Sequence, residues 1–303
     1  MRSLIIGYGS IGARHARLLA EMGHEVRCVT RNPQCPFPVF TDLADALDGN
    51  MPGLTVISTP TADHHDTLRA LLAHGFSGRI LVEKPLFDHV PATLPPATGH
   101  IFAAYNLRLH PLVQEAARLL TDRPIFSARF FVGQYLPDWR PGTDYTAGYS
   151  ARRDQGGGVL RDLSHELDLA LHLLGPWRRV AAIGGHFSDL AIDSDDVFDL
   201  LLETSRCPSV SIHLDYLNRT ARRGFEINAQ ELSIHADFIT GRLEAEGQAK
   251  VFDLDRDATY RAQLAALTSG ETARLCSFEQ GLAVLGLIEA AERAATQGQW
   301  VTA

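Results

Sequence analysis

The chain has 303 residues, of which 45% are hydrophobic and 21% charged, and its formal net charge is −8. That length exceeds one ordinary domain and fits two, and the composition is globular rather than disordered or fibrous. The acidic balance is spread over both halves without long single-sign blocks, which argues against nucleic acid or an anionic membrane as partner, and no run approaches the roughly 18 apolar residues of a spanning helix.

Met1-Arg2-Ser3 leads straight into a strand-like run with no leader pattern, so a cytoplasmic location is expected. Leu4-Ile5-Ile6, Glu25 to Val29, Leu54 to Ile57 and Ile80-Leu81-Val82 are short, β-branched-rich and unalternated, as strands buried on both faces of a parallel sheet are. His100 to Ala104 reads as a further strand. Between these runs Ile11, His15, Leu18, Leu19 and Met22 share one helical face, and Thr61 to His74 repeats Leu68, Leu71 and Leu72 at helical spacing. The series predicts an α/β fold that begins with a doubly wound parallel sheet of Rossmann type over residues 1–110.

Gly7-Tyr8-Gly9-Ser10-Ile11-Gly12 follows the first strand and opens the first helix, which is the context a dinucleotide fingerprint needs. Its glycines permit a tight turn and close backbone approach to a pyrophosphate, and the helix N-terminus attracts the phosphates. Gly7, Gly9, Ser10, Ile11 and Gly12 are therefore expected to bind a cofactor. The second strand ends Val29-Thr30-Arg31-Asn32, without the acidic side chain that usually accepts from the ribose hydroxyls of NAD. The Thr30 hydroxyl and the Arg31 guanidinium suit a 2′-phosphate, so NADP(H) is favoured over NAD(H).

The stretch Ile57 to His64 leaves the sheet at the edge where open α/β sheets bind ligands. Capping alone explains Thr61 and Asp63, and Asp63-His64-His65-Asp66 diverge by about 100° per residue on a helix, so no metal is expected there. Cys28, Cys35, Cys207 and Cys276 form no Cys-x-x-Cys pair, which implies neither zinc nor disulfides. Glu83-Lys84-Pro85 ends the run Arg79 to Val82 and delivers an amine beside the nucleotide loop. Asn106 and Arg108, just past the last strand, either grip substrate or cofactor or tie the two domains together. Pro91 to Gly99 is a loop.

After about residue 110 the texture changes. Arg129 to Gly133, Val180 to Ile183, Val197 to Leu202, Ser209 to Leu214 and Phe225 to Asn228 read as strands, several of them alternating, which fits an antiparallel sheet with one wet or partner-covered face. An α+β domain with a largely antiparallel open sheet is expected over 111–303, closed by a helix at about 277–295. Pro137 to Gly158 is a long loop whose Trp139, Arg140, Tyr149 and Arg152-Arg153 either contact substrate or pack the loop down. Leu160 to Leu174 is predicted as one helix ended by Gly175-Pro176. Leu163, Leu167, Ala170 and Leu174 form one face, and Asp162, His165, Asp168 and His172 form the opposite band, facing either solvent or a pocket. Gly156 to Gly158 before it permit close approach of a ligand.

Taken together, the Gly7–Gly12 loop, Thr59-Pro60-Thr61 with His64, Glu83-Lys84-Pro85, Tyr105 to Arg108 with Pro111, Trp139-Arg140, and Gly156 to Gly158 leading to Asp162 and His165 resemble the Gfo/Idh/MocA family of two-domain NAD(P)-dependent oxidoreductases. The similarity runs from residue 1 to about 175 and includes Ser277 to Gly281 before the last helix. It implies that Lys84 reaches both the nicotinamide ribose and the reacting hydroxyl, after a peptide bond that is often cis at the position of Pro85. It also implies that His165 is the second catalytic residue. Thr59, Pro60, Thr61, His64 and Glu83 then join the cofactor contacts, and Asn106, Arg108, Trp139, Arg140, Asp162 and Asp168 the substrate contacts. Asp162 stands three residues before His165 where the common pattern has four, a spacing similar to that of a subgroup in surface-sugar and amino-sugar metabolism.

The expectation is hydride transfer between NADP(H), or NAD(H), and a secondary hydroxyl or ketone of a sugar or nucleotide-activated sugar. The sequence leaves open which of Lys84 and His165 is the base. It also leaves two other readings: a non-catalytic dinucleotide sensor, and a reductase of a non-sugar substrate. A homodimer or homotetramer through the C-terminal sheet is expected by analogy.

Overall fold

The computed structural model describes residues 1–49, 51–95, 98–140 and 142–303. Pro96 and Ala97 of the expected Pro91–Gly99 loop, and Pro141 of the Pro137–Gly158 loop, lie outside the described residues. The chain runs β1 (Arg2–Ile6), α1 (Ser10–Glu21), β2 (Glu25–Val29), β3 (Val39–Phe40), α2 (Leu43–Leu47), β4 (Leu54–Ile57), α3 (His64–Ala73), β5 (Arg79–Val82) and β6 (Ile101–Ala103). Then follow α4 (Pro111–Leu119), β7 (Ile125–Gly133), α5 (Val159–Asp162), α6 (His165–Leu174), β8 (Trp177–Gly185), β9 (Val197–Thr204), β10 (Val210–Asp215), β11 (Arg222–Ala229) and β12 (Leu232–Asp237). β13 (Arg242–Ala245), β14 (Gln248–Val251), α7 (Ala258–Ser269), β15 (Cys276–Ser277), α8 (Phe278–Gln297) and β16 (Val301–Thr302) complete it.

Two compact units result, one of Met1–Leu109 with Arg256–Leu282, the other of His110–Asp255 with Ala283–Ala303. The first holds a seven-stranded sheet in the order β15-β6-β5-β4-β1-β2-β3, parallel except for the β15–β6 edge pair. Every residue of β4 is buried, which explains its unbroken apolar run. The segment 256–282, expected in the second domain, packs within this unit. Leu264, Leu267 and Leu275 enter the core that holds Leu18, Leu19, Val26 and Leu54, so the reason is burial of α7's apolar residues against α1.

The second unit holds a nine-stranded sheet in the order β14-β13-β12-β11-β7-β10-β9-β8-β16, antiparallel apart from the β7–β10 pair. β9 shows the alternation: Phe198, Leu200 and Leu202 are buried while Asp199 and Leu201 are exposed. The predicted single helix over 160–174 is two helices. Leu163 (φ −98°, ψ 23°) leaves the α-region and restarts the chain at His165, with Glu166 N donating to Leu163 O at 3.3 Å. Among the described residues no helix is long and apolar enough to cross a membrane.

Candidate active site

The nucleotide loop occupies the expected strand-to-helix turn. Gly7 has φ +92°, and a Cβ there would lie 2.6 Å from Ser58 O, while one on Gly12 would lie 2.1 Å from Gly7 O. Only glycine lets α1 close on β1 and β4 in this way. A Cβ on Gly9, by contrast, would meet nothing within 4 Å. Gly9 caps α1 without a side-chain hydrogen bond, and the first turn carries no acidic residue. Its first amides are thus left to an external acceptor at the positive end of the helix dipole. Gly9 and Ser10 are exposed and Ile11 is half-buried. Thr59 Oγ1, buried at the neighbouring end of β4, has no hydrogen-bond partner among the described residues. An open glycine, uncapped amides and an orphaned hydroxyl together fit the pyrophosphate and ribose of a dinucleotide.

At the end of β2, Thr30 Oγ1 accepts from Asn32 N at 3.0 Å and Asn32 Nδ2 donates to Tyr8 O at 3.0 Å. These bonds shape the turn and leave Arg31 exposed. Past β4, Pro60 is exposed and Thr61 half-buried. His64 is 1% exposed, with Nδ1 3.0 Å from Leu86 O and Nε2 2.9 Å from Thr59 O. Burial pushes its pKa down despite these carbonyls. His64, expected among the cofactor contacts, clamps the β4 end to the lysine turn, both ring nitrogens facing backbone carbonyls.

That turn follows β5. The Lys84–Pro85 peptide is cis and Leu86 has φ +81°. Glu83 N donates to Ile57 O at 2.9 Å, and Leu86 N to Glu83 O at 3.1 Å. Glu83 and Lys84 are half-buried, and Pro85 to Phe87 are buried. Glu83 Oε1 lies 2.8 Å from Nε2 of His15, a residue whose place on the apolar face of α1 gave no functional signal beyond its being a histidine among aliphatics.

Asn106 and Arg108 serve the fold of the first unit. Asn106 is 3% exposed and donates to Thr259 Oγ1 at 2.8 Å. Arg108, 2% exposed, donates to Gln280 Oε1 and to Leu275 O. Both side chains bind the returning segment 256–282. A buried guanidinium demands such partners.

In the second unit the two carboxylates of the polar band around α6 are enclosed, while His165 and His172 are half-buried. Asp162 is 6% exposed and Asp168 0%, and the apolar Leu167 and Leu174 are also 0% exposed. Tyr216 Oη donates to Asp162 Oδ2 at 2.7 Å. Burial first, then the Asp162 charge, pushes the Tyr216 phenol well above its ordinary range, so it remains a donor. Trp139 packs edge-on against Tyr216 with centroids 5.1 Å apart, and its Nε1 donates to Gln134 O. Arg140 is exposed, its field touching Tyr149. His165, half-buried, opens α6. Trp139, Asp162 and Tyr216 thus form one cluster, which the sequence did not reveal because Tyr216 lies 54 residues from Asp162.

The glycine run is filled by the chain itself. A Cβ on Gly157 would lie 2.1 Å from Tyr149 O, and one on Gly158 (φ +117°) 2.3 Å from Asp195 Oδ1. Asp195 accepts from Leu160 N at 2.9 Å, and burial raises its pKa to about 6. The close approach expected for a ligand is made here by backbone and by this carboxylate.

Residues 1–93 match a family model described as an oxidoreductase family with an NAD-binding Rossmann fold, and 113–235 match the GFO/IDH/MocA C-terminal domain. No curated protein matches the sequence. Among solved structures the chain resembles GenD2 from gentamicin A biosynthesis in complex with NAD, at 22% identity and TM-score 0.80, over 100% of this chain and 96% of that one. Levoglucosan dehydrogenase in complex with NADH aligns at 18% identity and TM-score 0.82, over 100% and 98% of the two chains. The WlbA dehydrogenase from Bordetella pertussis, in complex with NADH and UDP-GlcNAcA, aligns at 18% and 0.80, over 100% and 97%.

Proposed function

Because the chain belongs to the GFO/IDH/MocA family of NAD-binding Rossmann oxidoreductases, we propose that it transfers hydride between a nicotinamide and a secondary hydroxyl or ketone of a sugar or nucleotide-activated sugar. The observation that carries this reading is the Glu83-Lys84-Pro85 turn, built beside a glycine loop whose uncapped helix end fits a dinucleotide. GenD2, levoglucosan dehydrogenase and WlbA, whose fold it shares, supply the substrate class by analogy.

The nicotinamide supplies the hydride acceptor or donor. The chain's residues handle the proton and the charge. Lys84 hydrogen-bonds the reacting oxygen and stabilises charge developing on it. His165 takes the hydroxyl proton in the oxidation direction. The cluster of Trp139, Arg140 and Tyr149 offers an aromatic face, a cation and a phenol to a ring bearing hydroxyls and an anionic group. Asp162 orders this cluster through Tyr216, against which Trp139 packs.

Turnover of Lys84→Ala is measured by nicotinamide absorbance against inositols, anhydrosugars and UDP-linked uronates. A loss of about 100-fold or more is expected. Near-normal turnover sinks the assignment.

NADP(H) is the proposed cofactor ahead of NAD(H), because the β2 end offers Thr30 and an exposed Arg31 and no carboxylate. Thermal shifts with NADP⁺ and NAD⁺ at equal concentration compare their dissociation constants. A larger shift with NAD⁺, the cofactor form in the complexes above, refutes the preference.

Self-association through the open face of the nine-stranded sheet is proposed as well. Ile183 and Leu201 stand there 73% and 57% exposed, on the adjacent strands β8 and β9. Light scattering on Leu201→Asp, expected to give a smaller species than the parent, tests it. An unchanged mass argues against that face.

A further inference from the structure

Within the first unit, α1 reaches two parts of the cofactor side at once. Its first turn closes the glycine loop, with Gly12 against Gly7. One turn later His15, 0% exposed, holds Nε2 2.8 Å from Glu83 Oε1, 68 residues away in sequence. The carboxylate can only accept, so Nε2 carries the proton, while the buried Nδ1 has no hydrogen-bond partner among the described residues. Tyr260 covers the ring edge-on, with centroids 5.7 Å apart.

Glu83 is fastened on its other sides too. Its backbone bonds Ile57 O and Leu86 N, and Oε2 lies 3.3 Å from Lys84 N. His64 grips the far side of the same turn through Leu86 O. Everything that leaves this turn is therefore set by what holds Glu83 and Leu86, and Lys84 leaves between them.

We propose that His15 is a positioning residue for Lys84, acting through the Glu83 carboxylate. With its side chain 12% exposed, Glu83 would lack a buried donor if His15 were lost, and the turn would relax toward water. A shift of about 1 Å in a reacting group is enough to lose about 100-fold in rate. The proposal rests on the reading of Lys84 as the residue at the reacting hydroxyl.

The test reads the lysine directly. The sequence has two lysines, Lys84 and Lys250, and the second, with its side chain 53% exposed, is an internal reference. Brief acetic anhydride labelling followed by mass spectrometry gives the ratio of Lys84 to Lys250 acetylation. His15→Asn is too short to reach Glu83, whereas His15→Gln places an amide N–H near the site of Nε2. The ratio is expected to rise at least threefold in His15→Asn and to stay within twofold of the parent in His15→Gln. An unchanged or lower ratio in His15→Asn, or the same rise in both variants, overturns the proposal. If His15→Asn does not fold, the comparison moves to Glu83→Gln, which keeps an acceptor for His15, and Glu83→Leu, which does not. Equal ratios in that pair overturn it. A Lys84→Ala protein with full turnover would overturn the functional reading instead, and the labelling ratio would still report on His15.

Discussion

Tyr216 and Asp162 meet 2.7 Å apart inside the second unit, phenol donating to carboxylate. A carboxylate only 6% exposed needs donors at its lone pairs. Here the Tyr216 phenol supplies one, and the same ring packs edge-on with Trp139. Asp162 thereby anchors the Tyr216 and Trp139 rings.

Tyr216→Phe removes one donor and leaves the ring in place. Unfolding free energy should fall by about 1–3 kcal/mol, the usual penalty for stranding a buried acceptor. Chemical denaturation measures it. A change below about 0.5 kcal/mol would show that the bond does not anchor the cluster.

Gly12→Ala places a Cβ 2.1 Å from Gly7 O, a clash with backbone that no rotamer relieves. Dinucleotide affinity should fall at least tenfold, as seen by NADH fluorescence titration, while Gly9→Ala, with open space at its Cβ, should keep the fold. Equal affinity for parent and Gly12→Ala would contradict the loop's assignment.

Arg108→Leu removes the donor to Leu275 O and the charge-assisted bond to Gln280 Oε1, which keeps Ser277 N as its other donor. A loss of about 2–4 kcal/mol in stability is expected. Substrate KM in the folded fraction should be unchanged. A large rise in KM with stability intact would return Arg108 to the substrate site.

His213 offers a pH test. Hydrogen bonds first to Asp215, and to Asp199, raise it from 6.5 to about 9. A raised folded-state value means that its contribution is full below about pH 6.5 and is lost as pH rises through about 9. The side chain is 42% exposed, so solvent screening reduces the effect to about 1 kcal/mol. His213→Gln should therefore be less stable than the parent at pH 6 and equal to it near pH 10. A difference that persists unchanged at pH 10 would mean the ion pairs are not its source.

Local pattern carried the architecture. Short unalternated strands, a glycine loop between strand and helix, alternating strands after residue 110 and a lysine at a strand end are all properties of neighbouring residues, set by burial on two faces or one and by backbone steric freedom. These determined the family, the dinucleotide loop and the place of Lys84. What only the tertiary structure decided are the partners brought from far along the chain. Arg108 meets Gln280 across 172 residues, His15 meets Glu83 across 68, and Tyr216 meets Asp162 across 54. No spacing rule reaches such distances, because a buried polar group is satisfied by whatever donor or acceptor the packed core presents to it. The helix break at Leu163 and the return of 256–282 to the first unit have the same origin: helical periodicity describes one segment, while burial against other segments decides where it ends and what it covers.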